Sequence, residues 1–521
     1  MTSRALIAAG LLVCVPAGLF GCAAKAPIQP PYVAEMLKGE ALLSDGCYTC
    51  LQQSLALFER ALAFKSPPAG AAEKAFDAAL LIWLREKELG IVNDESAARA
   101  RKLLVASRQQ VFDAAQLVIG DTTGLDPEMR ARLTGRSRPP LEMENPVRRA
   151  LDASPETDLA ARYVALSIDC EQQKLIESVD MRAMTSNYSG VPLMRYRLAT
   201  CGRLASSNVG QLREGDPRWT DTLAAEARRE LASSAGRAID FPKVLSLYSQ
   251  GRSAFPSSLL FTMAWANTNL MAEEYEGAFA GFDDVVTRLP EHRDALNGKM
   301  QAQSYLMRHD DAIATATRIL ELGTWNVADA NYWRAWNRYH LKDYESAWVD
   351  VENALKGLSN TRVTMLAGLI AYARKDLPSA IVHFDNTFKA DPTACDGVWM
   401  SGLVSIDQND LTVAAPKFTR AMTCFVSSAA ALRQDRIRVA DSIDKRGSPA
   451  TAREQRQLDR LERDAKNAAE KSAQSAYNGA QCYARSGNRN LAMNLIDVAI
   501  DHPLMKEKAV AMKAAIEKLP Q

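Results

Sequence analysis

A repeating pattern of small residues constrains the fold of this chain more than any other feature of its sequence. Between residues 258 and 425, one alanine position recurs at intervals of 34, 35, 33 and 34 residues. A second series of mostly small residues and a third of mostly larger apolar residues keep the same register. Such a period is typical of stacked helix–turn–helix units. The three series are Ala278, Ala312, Ala347, Ala380 and Ala414; Ala266, Met300, Ala335, Gly368 and Gly402; and Phe282, Ala316, Val351, Phe384 and Phe418.

These segments resemble tetratricopeptide repeats, and the fourth is most similar, with Gly368, Tyr372, Ala380, Phe384 and Pro392. The resemblance covers about half of the chain. It implies an all-α fold, an α-solenoid in which the first helix of each pair lines a concave groove. Small residues let the paired helices approach each other, and the larger residue fills the gap against the next repeat.

The chain divides into segments of different composition. Apolar periodicity predicts degenerate helical repeats over residues 32–119, and proline with glycine predicts a linker over residues 120–155. Irregular helices are expected over residues 156–258. The remaining segments are the array of about five repeats over residues 259–428, a charged helical insertion over residues 429–472, and a last repeat with a capping helix over residues 473–521.

The insertion is expected to form a helical hairpin. A charged helix is predicted over Leu432–Asp444. Ser448 followed by Pro449 predicts the N-cap and the first position of a second helix. That helix can continue without a break into the last repeat.

The N-terminus resembles the signal of a bacterial lipoprotein. Arg4 precedes an apolar run that is shorter than the roughly 18–20 residues needed to span a bilayer. The run ends in Leu19-Phe20-Gly21-Cys22. The resemblance implies a signal peptide over residues 1–21, a covalent diacylglycerol and an acyl chain such as palmitate on Cys22, and a proline-rich tether over residues 22–31. An ordinary signal peptide or an uncleaved anchor is the alternative.

Composition and the leader together predict where the chain works. Ala23 and Ala24, rather than an aspartate, follow Cys22, as in lipoproteins sorted to the outer membrane. We therefore expect a lipid-anchored protein of the bacterial cell envelope that faces the periplasm. Since 63 basic residues balance 62 acidic ones, we expect no nucleic-acid partner.

The cysteines favour structural disulfides, because an exported chain meets an oxidising compartment. Cys47 and Cys50 form the sharpest local motif, for which a structural bond, free thiols, and a redox or metal function are alternatives. A redox pair would need a βαβ context and a zinc site two more ligands, and the sequence has neither. Further expected pairs are Cys170–Cys201 and Cys395–Cys424.

No motif indicates catalysis. The five histidines are dispersed, and the chain has no phosphate-binding glycine loop, nucleophile elbow or His-Glu-x-x-His motif. We expect a protein that is not an enzyme, with no metal, no other cofactor and no small-molecule substrate.

The third repeat contains the strongest candidate for a binding surface. Tyr332, Trp336 and Tyr339 fall on one face of its first helix, and Met365 and Trp399 occupy the position of Tyr332 in the next two repeats. Aromatic and methionine side chains in a groove suit the capture of a helix or an extended peptide. The alternative is that these rings fill the core between repeats.

The sequence therefore predicts a lipid-anchored scaffold that binds envelope proteins or peptides through the groove of its repeats. A lipoprotein subunit of a secretion, polysaccharide-export or outer-membrane assembly machine is the second hypothesis. A redox protein that uses Cys47 and Cys50 is the third.

Overall fold

A computed structural model describes residues 30–91, 93–119, 158–171, 191–200, 218–232, 239–323, 326–447 and 449–519. Every regular element in these ranges is a helix, which confirms the all-α prediction. The chain forms two compact units: Met1–Lys87 with Asn93–Trp219, and Glu88–Val92 with Thr220–Gln521. The predicted signal peptide, Cys22 and the linker over residues 120–155 lie outside the described residues.

The helices of the first unit pack around a main apolar core and a smaller cluster. Its helices are α1 (Pro31–Asp45), α2 (Tyr48–Leu62), α3 (Ala71–Leu89, whose last two residues belong to the second unit), α4 (Asp94–Leu103), α5 (Gln109–Ile119), α6 (Leu159–Glu171) and α7 (Pro192–Thr200). Helices α1 and α2 pack closely, since a Cβ added at Gly39 would lie 2.7 Å from the ring of Phe58. The hydroxyl of Ser54 also donates to the carbonyl of Gly39 at 2.8 Å. Phe58 then joins α3 in the core, where it is fully buried.

The second unit contains the repeats. It begins with α8 (Leu223–Ala232) and α9 (Phe241–Ala254). Five helix pairs follow: α10 (Leu259–Met271) with α11 (Tyr275–Arg288), α12 (Arg293–Tyr305) with α13 (His309–Glu321), α14 (Val327–His340) with α15 (Tyr344–Leu355), α16 (Thr361–Ala373) with α17 (Leu377–Ala390), and α18 (Cys395–Asp407) with α19 (Leu411–Arg446). The chain continues through α20 (Ala452–Arg485), α21 (Arg489–Ile500) and α22 (Lys506–Ile516).

The period found in the sequence is repeated in the backbone of the turns. In each of the five pairs, one residue between the two helices adopts a left-handed conformation, with φ between 59° and 66°. The next amide donates to the carbonyl five residues before it at 2.9 Å in all five turns. This pattern satisfies carbonyls at the end of the first helix. The left-handed residues are Glu273, Met307, Lys342, Lys375 and Asn409.

The insertion forms a long helical hairpin whose limbs extend two helices of the array. The predicted helix over Leu432–Asp444 is not separate, because the second helix of the fifth repeat continues to Arg446. The second limb, α20, continues without a break into the last repeat. Its N-cap is Thr451, and Glu454, three residues later, completes a capping box with it, so Pro449 is not the first residue of the helix. Ser448 lies outside the described residues.

Among the described residues, none of the helices is both long enough and apolar enough to span a membrane.

Candidate protein-binding surface

Two stacked ring pairs occupy equivalent positions in successive repeats. Tyr275, which begins α11, stacks on Tyr305, which ends α12, with ring centroids 4.6 Å apart and planes 17° from parallel. His309, which begins α13, stacks on His340, which ends α14, at 5.2 Å and 3°. The histidines follow the tyrosines by 34 and 35 residues. The same two repeat positions are therefore used twice for ring stacking between neighbouring pairs of helices.

Tryptophans of α14 join the two stacks into a continuous row. The ring of Tyr305 meets Trp333 edge-on at 5.4 Å, Trp333 meets Trp336 at 6.1 Å, and Trp336 lies 4.1 Å from His340. Such ring pairs contribute roughly 0.5–1.5 kcal/mol each beyond the area they bury. We call this set the aromatic row; its members are Tyr275, Tyr305, His309, Trp333, Trp336, Tyr339, His340 and Tyr344.

A buried amide fixes the orientation of the histidine stack. The Nδ2 of Asn337 donates to the Ser304 hydroxyl at 2.8 Å and to the Trp333 carbonyl at 2.7 Å. Its Oδ1 is thereby left as an acceptor 2.8 Å from Nδ1 of His309, which must carry the hydrogen. Burial, and then the neighbouring His309, lower the pKa of His340 below its ordinary value. The neutral form of His340 is therefore favoured.

Exposed apolar side chains border the aromatic row. Met271, Tyr305, Met307 and Leu341 are 52%, 44%, 58% and 45% exposed. All four lie where the first helix of a repeat ends and its turn begins, in repeats one to three. Exposed apolar side chains grouped at equivalent positions of neighbouring repeats suit a protein interaction site. The row and these side chains together form the candidate surface.

The five residues predicted from the sequence are distributed over several clusters. Tyr332 is only 6% exposed and meets Trp333 of the aromatic row edge-on at 5.3 Å, while the guanidinium of Arg362 lies over its ring at 5.0 Å. Trp336 and Tyr339 are partly buried and belong to the aromatic row. Met365 packs in the cluster around Phe384. Trp399 packs against the Cys395 cluster, with the ammonium of Lys471 5.2 Å from its ring.

Tyr275, Tyr305 and His309 are among the members of the surface that the sequence analysis missed. The signal that could have identified them is the repeat register. Tyr305 and His340 share one repeat position, and Tyr275, His309 and Tyr344 share another. Attention to a single helix could not reveal contacts made between neighbouring repeats.

The tip of the hairpin lies at one end of the aromatic row. Arg456 pairs with Glu274 at 2.6 Å and Arg460 with Glu273 at 2.8 Å, directly before Tyr275. Arg453 lies over the ring of Phe241 in α9, 4.1 Å from its centroid. The hairpin therefore returns from the fifth repeat to the first. Exposed ion pairs of this kind contribute only about 0–1 kcal/mol each, so the contact can open at low cost.

Two of the predicted disulfides are present. Cys395–Cys424 joins α18 to α19, and Cys47–Cys50 lies at the start of α2. Cys47 and Cys50 are buried, so an attacking thiolate has no access to them, and a redox role is disfavoured. Cys201 lies outside the described residues, so the pair Cys170–Cys201 stays a prediction.

Two further observations concern reactive groups. Cys482 is free and buried, and burial raises its pKa to about 11. Among the described residues, no group of three or more His, Cys, Asp or Glu side chains could hold a metal ion.

No family profile and no curated protein matches this chain. Solved structures with similar helices include the APC/C hetero-tetramer Cut9–Hcn1 (13% identity, 94% of this chain and 96% of that chain, TM-score 0.34). YrrB, a TPR protein with an unusual peptide-binding site, is 16% identical over 45% of this chain and 97% of its own, with a TM-score of 0.33. A tetratricopeptide repeat protein from Parabacteroides merdae is 10% identical over 57% and 99%, with a TM-score of 0.34.

Proposed function

We propose that this chain is a non-catalytic scaffold that binds envelope proteins or peptides on the periplasmic side of the outer membrane. The observation that carries the proposal is the aromatic row with its exposed border of Met271, Tyr305, Met307 and Leu341. Aromatic and methionine side chains are enriched at the centres of protein interfaces.

The chemistry of the surface indicates the kind of partner. Its exposed groups are apolar and aromatic, so the partner contributes apolar side chains from a helix or an extended segment. The rings already pack against one another in fixed orientations. Binding therefore orders few additional side chains, which lowers its entropic cost.

Export and lipid attachment through Cys22 belong to the same proposal. The disulfides Cys47–Cys50 and Cys395–Cys424 support it, because such bonds persist in oxidising compartments. Metabolic labelling with palmitate tests the attachment: the wild type should incorporate label and sediment with membranes, and Cys22→Ala should do neither. Equal labelling of both proteins would contradict it.

Photo-crosslinking in cells tests the binding surface. A p-benzoylphenylalanine probe replaces Tyr305, which is exposed and aromatic. The matched control carries the probe at Val382, which is exposed on α17 away from the aromatic row. We expect discrete adducts from Tyr305 that Met307→Ala weakens and that the Val382 probe does not give.

The pattern of adducts also distinguishes the two forms of the function. Several envelope proteins crosslinked in varying amounts would identify a general scaffold. One partner at constant stoichiometry would identify a subunit of a fixed assembly. Identical adducts from the Tyr305 and Val382 probes would contradict a binding role for the aromatic row.

A further inference from the structure

A cavity of about 310 Å³ lies in the first unit, between α2, α3 and the start of α4. It is close to the lower end of the range for small-molecule sites, roughly 300–1,000 Å³. Leu55, Ala79 and Ile82 contribute an apolar wall, and all three are buried. The cavity is far larger than one water molecule or one metal ion needs, and an alkyl chain would fit against its apolar side.

The polar side of the cavity contains a buried carboxylate. Glu86 lines the cavity and is only 3% exposed. Its Oε1 accepts hydrogen bonds from the Tyr48 hydroxyl at 2.8 Å and from Asn93 Nδ2 at 3.1 Å. Its Oε2 is buried and has no hydrogen-bond partner within the part of the chain that the structure describes. An unpaired buried carboxylate oxygen is costly, so a donor at this point would be strongly stabilising.

The position of the carboxylate is set by its neighbours. Burial, followed by the hydrogen bond to Glu86, raises the pKa of Tyr48, so the hydroxyl stays protonated and keeps donating. Asn93 is the N-cap of α4. The carboxylate is therefore held by groups from two helix starts while one oxygen remains without a donor.

The charges around the cavity favour a cation. Two carboxylates, Glu86 and Glu95, and one guanidinium, Arg99, line it. Arg99 already pairs with Glu59, its Nε donating at 2.9 Å. Water would satisfy Oε2 but would not balance this negative charge.

We infer that this cavity binds a small primary ammonium group carried on a short alkyl chain. The ammonium pairs with the carboxylate of Glu86, which lines the cavity, and its methylene groups lie against Leu55, Ala79 and Ile82. Two sources have this chemistry, a free amine and a lysine side chain of another protein. The site is independent of the aromatic row and of the scaffold function proposed above.

Titration calorimetry of the full-length protein with 1,5-diaminopentane tests the inference. We expect saturable binding, and no binding of 1,5-pentanediol, which has the same chain length without charge. Glu86→Gln should weaken the affinity about tenfold or more, because hydrogen bonds to charged groups contribute about 1.5–3 kcal/mol. Glu73→Gln on the same helix, outside the cavity, should bind as the wild type does.

A second variant keeps the test valid if Glu86→Gln does not fold. Ser96 is only partly buried and lines the cavity, so Ser96→Phe should narrow it while leaving the carboxylate in place. This variant should also abolish binding. Equal binding of the diol and the diamine, or unchanged affinity in a folded Glu86→Gln or Ser96→Phe protein, would overturn the inference.

The source of the ammonium is decided by a second ligand. An acetylated and amidated lysine peptide is titrated beside 1,5-diaminopentane. Tighter binding of the peptide assigns the site to a protein side chain, and tighter binding of the diamine assigns it to a free amine. Failure of both ligands would reject the site and leave the proposed scaffold function untouched.

Discussion

His309 and His340 stack 5.2 Å apart, almost parallel, at the two positions that Tyr275 and Tyr305 fill one repeat earlier. Both rings of the stack therefore change together between these repeats: tyrosine stacks on tyrosine in the first, and histidine stacks on histidine in the second. Only the second pair can change its charge near neutral pH. Through the lowered pKa of His340, the second stack couples the aromatic row to acidity.

The stability of the protein should fall on acidification because of this stack. The pKa of His340 is lowered from an ordinary value near 6.5 by burial and by His309. The unfolded chain therefore binds a proton more readily than the folded one. Stability from this group is complete above about pH 6.5 and is lost progressively as the pH falls through the lowered pKa.

Chemical denaturation between pH 5 and pH 8 measures the effect. His340→Phe keeps a ring but cannot titrate, so its denaturation midpoint should decline less than that of the wild type below the ordinary pKa of histidine. His383, whose pKa is also lowered, chiefly by burial, remains in both proteins as a common background. Parallel pH profiles for the two proteins would show that the stack is not a source of pH dependence.

Asp350 should be among the most sensitive charged residues in the array. It is 1% exposed and accepts from Arg334 at 2.6 Å and from Arg338 at 2.7 Å. Asp350→Ala leaves two partly buried guanidinium groups without their carboxylate and should cost about 3 kcal/mol of unfolding free energy. Asp284→Ala is the matched control, because its pair with Arg288 is solvent-exposed and contributes about 0.3–0.5 kcal/mol. Equal losses in urea denaturation would contradict this ranking.

The repeats were predictable because the steric requirement recurs at fixed offsets. In repeats two to four, a residue of the first helix and one sixteen positions later compensate in size: Met300 with Ala316, Ala335 with Val351, Gly368 with Phe384. In the first repeat Ala266 precedes Phe282, and a Cβ added at Gly298 of the next repeat would lie 2.3 Å from the Phe282 ring. Met300, a large residue in the series of small ones, and Ala316, a small residue in the series of larger ones, thus compensate each other. A Cβ at Gly368 would lie 2.5 Å from the ring of Phe384, which explains the glycine.

The surface and the cavity were less accessible to sequence reasoning. The aromatic row depends on contacts between the end of one helix and the start of a helix in the preceding repeat. The residues around Tyr305 in the sequence therefore do not indicate that it belongs to a binding surface. Glu86 lies in a helix of the degenerate N-terminal region, and its unpaired oxygen follows from three-dimensional packing alone. Apolar periodicity identifies the buried face of a helix but not an orphaned polar atom on it.

Size compensation can be tested directly. Gly368→Ala should destabilise the array by about 1–3 kcal/mol, because the new methyl group overlaps the ring of Phe384. The double variant Gly368→Ala with Phe384→Val reproduces the pair found in the third repeat and should recover part of the loss. Urea denaturation of the three proteins measures both effects. A double variant less stable than the additive expectation would argue against compensation.

The hairpin tip should be releasable without unfolding the repeats. Arg456→Glu with Arg460→Glu places like charges opposite Glu273 and Glu274, where the wild type has two exposed ion pairs. We expect faster hydrogen exchange over the tip and over the turn at Glu273, with a loss of global stability below about 1 kcal/mol.

Raised salt should have the same effect on the wild type, because screening weakens exposed pairs. Restoring one pair in reverse, by adding Glu274→Arg to Arg456→Glu, should slow the exchange again. If exchange at the tip stays slow in the charge-reversed protein, the contact depends on Arg453 over Phe241 rather than on the ion pairs, and Arg453→Ala becomes the variant that opens it.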